Sequence, residues 1–251
     1  MSSVAKLPAE VLKRLETRLG VRSKVSYLFL YDLFTSLTYE WLDEPKANKE
    51  RPVQFSIDDI AEFYYKFYAD KEIYCSHQFF FSRWRRFIRG IPKAGVFAVT
   101  NEGKLVLVLM KKTLADGEQE VVLGFPKGKR NFFDDTLKDT GYREMLEETG
   151  IKLSSDGVKR EIHQKEANLI LYVESKVDSS LVDEDFSQEF ETNGVRMIKA
   201  NELDGEKYVP VVFEGREVEA RLSKSVFNVF LMINDVNNKE FEDVRRICLI
   251  E

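Results

Sequence analysis

Three glutamates decide what chemistry this chain could do. Glu144, Glu147 and Glu148 fall at i, i+3 and i+4, so on a helix their carboxylates share one narrow arc. Like charges at that spacing repel, by roughly 0.2–0.5 kcal/mol per pair. A divalent cation offsets that repulsion, and Mg²⁺ or Mn²⁺ takes hard oxygen ligands from carboxylates, water and substrate phosphate. Arg143 lies four residues before Glu147, placed to pair with it and orient the carboxylates. Upstream, Gly124-Phe125-Pro126-Lys127-Gly128-Lys129 sets two lysines around a glycine. The Gly128 carbonyl is a further oxygen donor for a metal, and Lys127 and Lys129 are candidates for phosphate. The plain alternative is a solvated acidic helix face beside an exposed lysine pair, and the triplet by itself favours that alternative.

Positioning these groups requires a helix against a sheet. A charged helix is expected from about Asp135 to Thr149, with Gly150 as its stop. Gly141 costs about 1 kcal/mol in a helix interior, which implies close packing there. Short β-type runs precede it, Gly95 to Thr100, Lys104 to Met110 and Glu120 to Leu123, with a hairpin turn at Asn101-Glu102-Gly103. Strands at Asn168 to Ser175 and Val195 to Lys199 follow, then an amphipathic helix over about Val218 to Ile233. The first ninety residues read as helices: Pro8 to Leu19, Lys24 to Asp43, Ser56 to about Ala69 behind a Ser56-to-Asp59 capping pattern, and about Glu72 to Arg89. Glu44 to Gln54 reads as a loop. The fold class is therefore α+β: an all-helical N-terminal domain, residues 1–90, followed by residues 91–251, an α/β/α sandwich with a mixed sheet and a C-terminal helix.

The bulk figures narrow the field. In 251 residues, 43% hydrophobic with 12% aromatic is enough for real cores, and a net charge of −5 excludes a generic polyanion binder. Nucleic-acid contact must come from a local basic patch. Two cysteines, Cys75 and Cys248, and two histidines, His77 and His163, form no zinc pattern and no disulfide framework. The start lacks a signal-peptide core, and no run reaches the roughly 18 apolar residues of a membrane span. The chain reads as soluble and cytoplasmic, with no membrane partner.

Arg143-Glu144-Met145-Leu146-Glu147-Glu148-Thr149-Gly150-Ile151 matches the Arg-Glu-U-x-Glu-Glu-x-Gly-U half of the Nudix box, where U is a bulky aliphatic residue, and Gly128 supplies the leading glycine. With GFPKGK before the box, the chain resembles mRNA-decapping enzymes of the Nudix superfamily. One departure stands: Asp134-Asp135 replace the box's first Glu, and the spacing is one residue longer. The resemblance implies hydrolysis of the 5′ cap pyrophosphate, with Glu144 and Glu148 as main metal ligands and Glu147 supporting. It also implies one more glutamate from the loop before a late strand. At that position this chain has Gly194, with Glu189 and Glu191 just upstream, so either could serve, or both belong to an acidic surface loop.

The helical extension resembles the decapping enzymes as well. There an aromatic residue four before an Asp binds methylated guanine; Tyr39 and Asp43 have that spacing, and Trp41 is the rival platform. Gly90-Ile91-Pro92 resembles the hinge between the two domains. Arg83, Arg85, Arg86 and Arg89, interleaved with Trp84 and Phe87, form a candidate RNA contact, or the basic edge of a helix that buries both rings. The late helix carries Arg216, Arg221 and Lys224 among Glu217 and Glu219, weaker in charge than the family's lysine-rich helix. The implied partners are capped mRNA and an activator subunit docking on the helical domain. Two other readings compete. One keeps the chemistry on dinucleoside polyphosphates or diphosphoinositol phosphates; the other is an inactive Nudix module serving as an RNA-binding scaffold.

Overall fold

Ala94 to Thr100 are buried at every position, as expected of a strand covered on both faces. The computed structural model describes residues 13–15, 17–18, 33, 56–67, 77–130, 134–153, 160–187, 192–203, 207–235 and 237–248. The elements are α1 (Ile57–Phe67), α2 (His77–Gly90), β1 (Lys93–Thr100), β2 (Lys104–Thr113), β3 (Gln119–Gly124), β4 (Lys127–Gly128), α3 (Leu137–Thr149), β5 (Glu161–Gln164), β6 (Leu169–Val177), β7 (Val195–Lys199), β8 (Tyr208–Phe213), β9 (Arg216–Leu222), α4 (Lys224–Asn234) and α5 (Glu242–Ile247). By contacts the chain divides into two compact units. One is Met1–Pro92 with Lys129–Leu137, and the other is Lys93–Gly128 with Lys138–Glu251.

In the second unit the strands run β5-β6-β1-β2-β3-β9-β8, with β4 added to β1 and β7 to β2. β1 pairs parallel with β6, and β3 with β9; the other pairs are antiparallel, so the sheet is mixed. Period-2 alternation along β1 sends its side chains to two cores. Phe97 and Val99 pack with Val226, Val229, Phe230 and Ile233 of α4 and with Val244 of α5. Val96 and Ala98 pack with Met145 of α3. Helices thus cover both faces.

The helix expected from Val218 to Ile233 is corrected. Val218 to Leu222 belong to β9, and α4 begins only at Lys224. Glu214 and Gly215 both have positive φ, 50° and 72°, the backbone of a tight hairpin turn that folds β9 back on β8. Ser223 then caps α4 by accepting from the Val226 N–H at 3.4 Å. Arg216 and Arg221 consequently lie on a strand, and Arg221 is held by Glu120 at 2.6 Å.

In the first unit, Ser56 and Asp59 cap α1 reciprocally. The Ser56 N–H donates to Asp59 Oδ2 at 2.8 Å, and the Asp59 N–H to Ser56 Oγ at 3.1 Å. Phe63 of α1 meets Phe80, Trp84 and Phe87 of α2 at centroid distances of 5.4, 5.0 and 5.3 Å. Trp84 is fully buried in this cluster, so it offers no face to a nucleic-acid base. Residues 13–15 and 17–18 are helical, as is Leu33; the remainder of the expected 24–43 helix lies outside the described residues. Among the described residues no helix is long and apolar enough to cross a membrane.

Candidate active site

Glycines let α3 approach the sheet closely. A Cβ on Gly141 would lie 3.0 Å from the Gly95 carbonyl oxygen and 3.2 Å from Tyr172. A Cβ on Gly95 would meet the Pro126 carbonyl oxygen at 2.5 Å and Lys127 Cβ at 2.6 Å. Helix, β1 and β4 are therefore layered almost backbone to backbone, which any side chain at either glycine would wedge apart. On the flank toward β6, the Tyr142 hydroxyl donates to the buried carboxylate of Glu174. The far end of α3 closes at Gly150, whose φ is +73° and whose N–H donates to the Leu146 carbonyl at 2.9 Å.

That approach carries Glu144 and Glu148 onto β4. Both are buried, at 5% and 7% exposure, and burying carboxylates is costly unless charge or hydrogen bonds compensate. Glu148 Oε2 accepts the Lys127 N–H at 2.9 Å. Glu144 stands against Gly128 so closely that a Cβ there would fall 2.1 Å from its carboxyl carbon and Oε1. Arg143 Nη1 bridges the helix carboxylates, 2.8 Å from Glu144 Oε1 and 2.7 Å from Glu147 Oε2. Glu147 itself lies on the open side, its side chain 39% exposed. The Lys127 ammonium donates to the Phe125 carbonyl at 3.2 Å. Burial pushes its pKa below the ordinary lysine value, with Lys93 adding to the fall, while Glu148 and Glu144 pull it back up.

Two buried carboxylates meet β4 here, Glu148 on the Lys127 N–H and Glu144 against Gly128. Carboxylate oxygens are hard ligands suited to Mg²⁺ or Mn²⁺, and the missing side chain at Gly128 leaves room for the Glu144 carboxylate itself. Among the described residues no three His, Cys, Asp or Glu side chains gather around one point. Glu144 and Glu148 could hold an ion here with water completing its shell, since Mg²⁺ is commonly bound through one or two carboxylates.

Neither a family model nor a curated protein matches the chain. Among solved structures it is similar to a MutT protein from Methanosarcina mazei Go1, at 19% identity over 58% of this chain and 95% of that one, with a TM-score of 0.36. The E. coli ORF135 protein aligns at 14% identity over 55% and 86%, with a TM-score of 0.35. A MutT Nudix hydrolase from Burkholderia pseudomallei aligns at 16% identity over 56% and 95%, with a TM-score of 0.34. Likenesses this weak assign neither fold nor chemistry, and the site must stand on its own geometry.

Of the residues singled out from the sequence, Glu144, Glu148, Gly128 and Lys127 come together, with Glu147 joined through Arg143. Lys129 is half-buried at the start of Lys129–Leu137, which belongs to the first unit. Asp135, in the place of the box's first acid, is exposed and pairs with Arg14 at 3.0 Å, while Asp134 is buried. Gly90, Ile91 and Pro92 lead from the end of α2 into β1. Arg86 and Arg89 are exposed, and Arg83 and Arg85 are half-buried. Tyr39, Trp41, Asp43, Glu189 and Glu191 lie outside the described residues. Sequence reasoning missed the Lys127 main-chain N–H as the group that fixes Glu148, since a backbone donor leaves no residue-type signal. It also missed Gly95, whose role appears only once β4 is laid beside β1.

Proposed function

We propose that the chain is a Mg²⁺- or Mn²⁺-dependent Nudix pyrophosphohydrolase whose substrate is the 5′ cap of mRNA, yielding m⁷GDP and 5′-monophosphate RNA. The observation that carries the hydrolase reading is the pair of buried carboxylates on β4, Glu144 against a side-chain-free Gly128 and Glu148 on the Lys127 N–H. The choice of capped RNA rests on the sequence resemblance of residues 33–43 and 87–96.

A bound divalent ion supplies charge neutralisation on the pyrophosphate and acidifies the attacking water. Glu144 and Glu148 would hold it, with the Gly128 carbonyl as a further candidate, and the Lys127 N–H fixes the Glu148 carboxylate in place. Arg143 keeps Glu144 and Glu147 oriented while damping their mutual repulsion. Lys127 and Lys129 bind phosphate oxygens. Water attacks phosphorus in line, the bridging P–O bond breaks, and the water's proton passes to a carboxylate, for which Glu189 and Glu191 are the candidates beside Glu147 and Glu148. Tyr39 or Trp41, with Asp43, takes the methylated guanine, Gly90-Ile91-Pro92 serves as the hinge, and an activator subunit docks on the helical domain.

Incubation of cap-labelled RNA with Mg²⁺, followed by chromatography of the product, tests this. Release of m⁷GDP is expected, and Glu148→Gln should fold normally while losing nearly all turnover. Turnover of diadenosine tetraphosphate or a diphosphoinositol phosphate without m⁷GDP release would reassign the substrate. Tight RNA binding with no Mg²⁺-dependent product would mark an inactive RNA-binding module.

A further inference from the structure

Phe79 breaks the burial pattern of α2. Phe80 and Trp84 are fully buried against Phe63, yet Phe79 is 46% exposed. Its ring is not loose. The Arg83 guanidinium, one turn on, lies 4.1 Å from the Phe79 centroid and 5.5 Å from that of Phe67, so one cation ties both rings. Lys66 Nζ adds a second cation 5.8 Å from the Phe67 centroid. Arg86 follows Phe79 at i+7 on the same helical face and is exposed. The sequence of α2, HQFFFSRWRRFIRG, holds four arginines and no acid, within a chain of net charge −5. Positive charge is thus concentrated around a half-exposed aromatic ring that Arg83 braces from one side.

We infer that Phe79, Arg83 and Arg86 form a stacking platform for single-stranded RNA, which rests on the reading of RNA as substrate. One base stacks on the Phe79 ring, and the flanking phosphates meet Arg83 and Arg86. Bases stack on aromatic side chains with little regard to sequence, and basic side chains beside the ring follow the backbone. The surface differs from the one the sequence suggested, because Trp84 is core and Phe79 is the ring that faces out. An acidic peptide would satisfy the arginines but would have no use for an open phenyl ring, so charge and ring together favour a nucleic acid.

The test is fluorescence anisotropy of the full chain with uncapped, fluorescein-labelled oligoadenylate and oligouridylate. Phe79→Ala should weaken binding at least about 5-fold, the low end for one stacked base. Phe79→Trp should retain it, and the purine oligonucleotide should bind more tightly. Arg86→Gln should lower affinity and reduce the slope of log K against log salt by roughly 0.7, the share of one phosphate contact on a single strand. Thermal unfolding of Phe79→Ala checks that this half-exposed position leaves the fold intact. Equal affinity of a folded Phe79→Ala, or a polyglutamate peptide bound as tightly as RNA, overturns the platform. Cap hydrolysis by the wild type is read separately. A protein that binds the oligonucleotides through Phe79 yet releases no m⁷GDP keeps the platform and loses the cap reaction, whereas the reverse result loses only the platform.

Discussion

Replacing Gly128 with alanine separates the site from the fold. The added methyl would fall 2.1 Å from the Glu144 carboxyl carbon and Oε1, which is 1.3 Å short of the 3.4 Å where ordinary contact begins. Gly128 does not have positive φ, so its backbone accepts alanine, and the clashing atoms are the tip of a flexible side chain. The cheap response is for the Glu144 carboxylate to swing away, and the chain stays folded. Alanine in place of a strand glycine even reduces unfolded-state entropy, worth about 0.4–1 kcal/mol where the conformation fits. The proposed metal site, however, would lose one of its two buried carboxylates. A displacement of about 1 Å in a reacting array costs on the order of 10²-fold, close to 2.7 kcal/mol of transition-state stabilisation. Two assays follow. Mg²⁺ should raise the melting temperature of the wild type but hardly that of Gly128→Ala, and kcat/KM should fall about 100-fold. Gly95→Ala is the contrast: its methyl meets the Pro126 carbonyl oxygen at 2.5 Å, a backbone atom that cannot step aside, so overpacking should cost about 1–3 kcal/mol of stability. A folded Gly128→Ala with wild-type Mg²⁺ response and turnover would refute the assignment of Glu144 and Gly128 to the metal site.

Three further outcomes are expected. Asp59 accepts the Ser56 N–H and pairs with Arg130 Nη1 at 3.2 Å with both side chains largely buried, so Asp59→Asn should destabilise the chain by about 3–5 kcal/mol. A double-mutant cycle with Arg130→Met should return a coupling of at least about 0.5 kcal/mol, and additivity would remove the pair as a cause. Gly90 has neither positive φ nor any atom within 4 Å of an added Cβ, so Gly90→Ala should raise stability by about 0.4–1 kcal/mol in urea unfolding; a loss would show that the glycine conformation is needed. Burial pushes the Cys248 thiol up to about 12. An unfolded thiol releases its proton near pH 8.5, so above that pH the unfolded state binds fewer protons, and stability drops by about 1.4 kcal/mol per pH unit until about pH 12. In a Cys75→Ser background, urea midpoints at pH 8 and pH 10 should differ through this group, and Cys248→Ala should lack that part of the slope.

Sequence alone set out the local terms of this protein. The i, i+3, i+4 glutamates with Arg143, the Gly150 stop and the Ser56-to-Asp59 cap follow from residue type and helical spacing, and those interactions form within a few residues of chain. The strands of the second unit were legible where apolar alternation or a continuous apolar run was strong, as in β1, β2 and β7. β9 was misread because Val218, Ala220 and Leu222 run into the apolar residues of α4, and only the Glu214-Gly215 turn and its pairing with β8 decide that those residues alternate across a sheet. Which glutamates are buried was likewise a tertiary decision. All three share one arc of α3, yet packing at Gly95 and Gly141 rolls Glu144 and Glu148 onto β4 and leaves Glu147 outward on Arg143. Spacing along a chain fixes which side chains are neighbours on a helix. The burial that makes two carboxylates costly, and so receptive to a cation, exists only when a distant strand without side-chain bulk is laid against them.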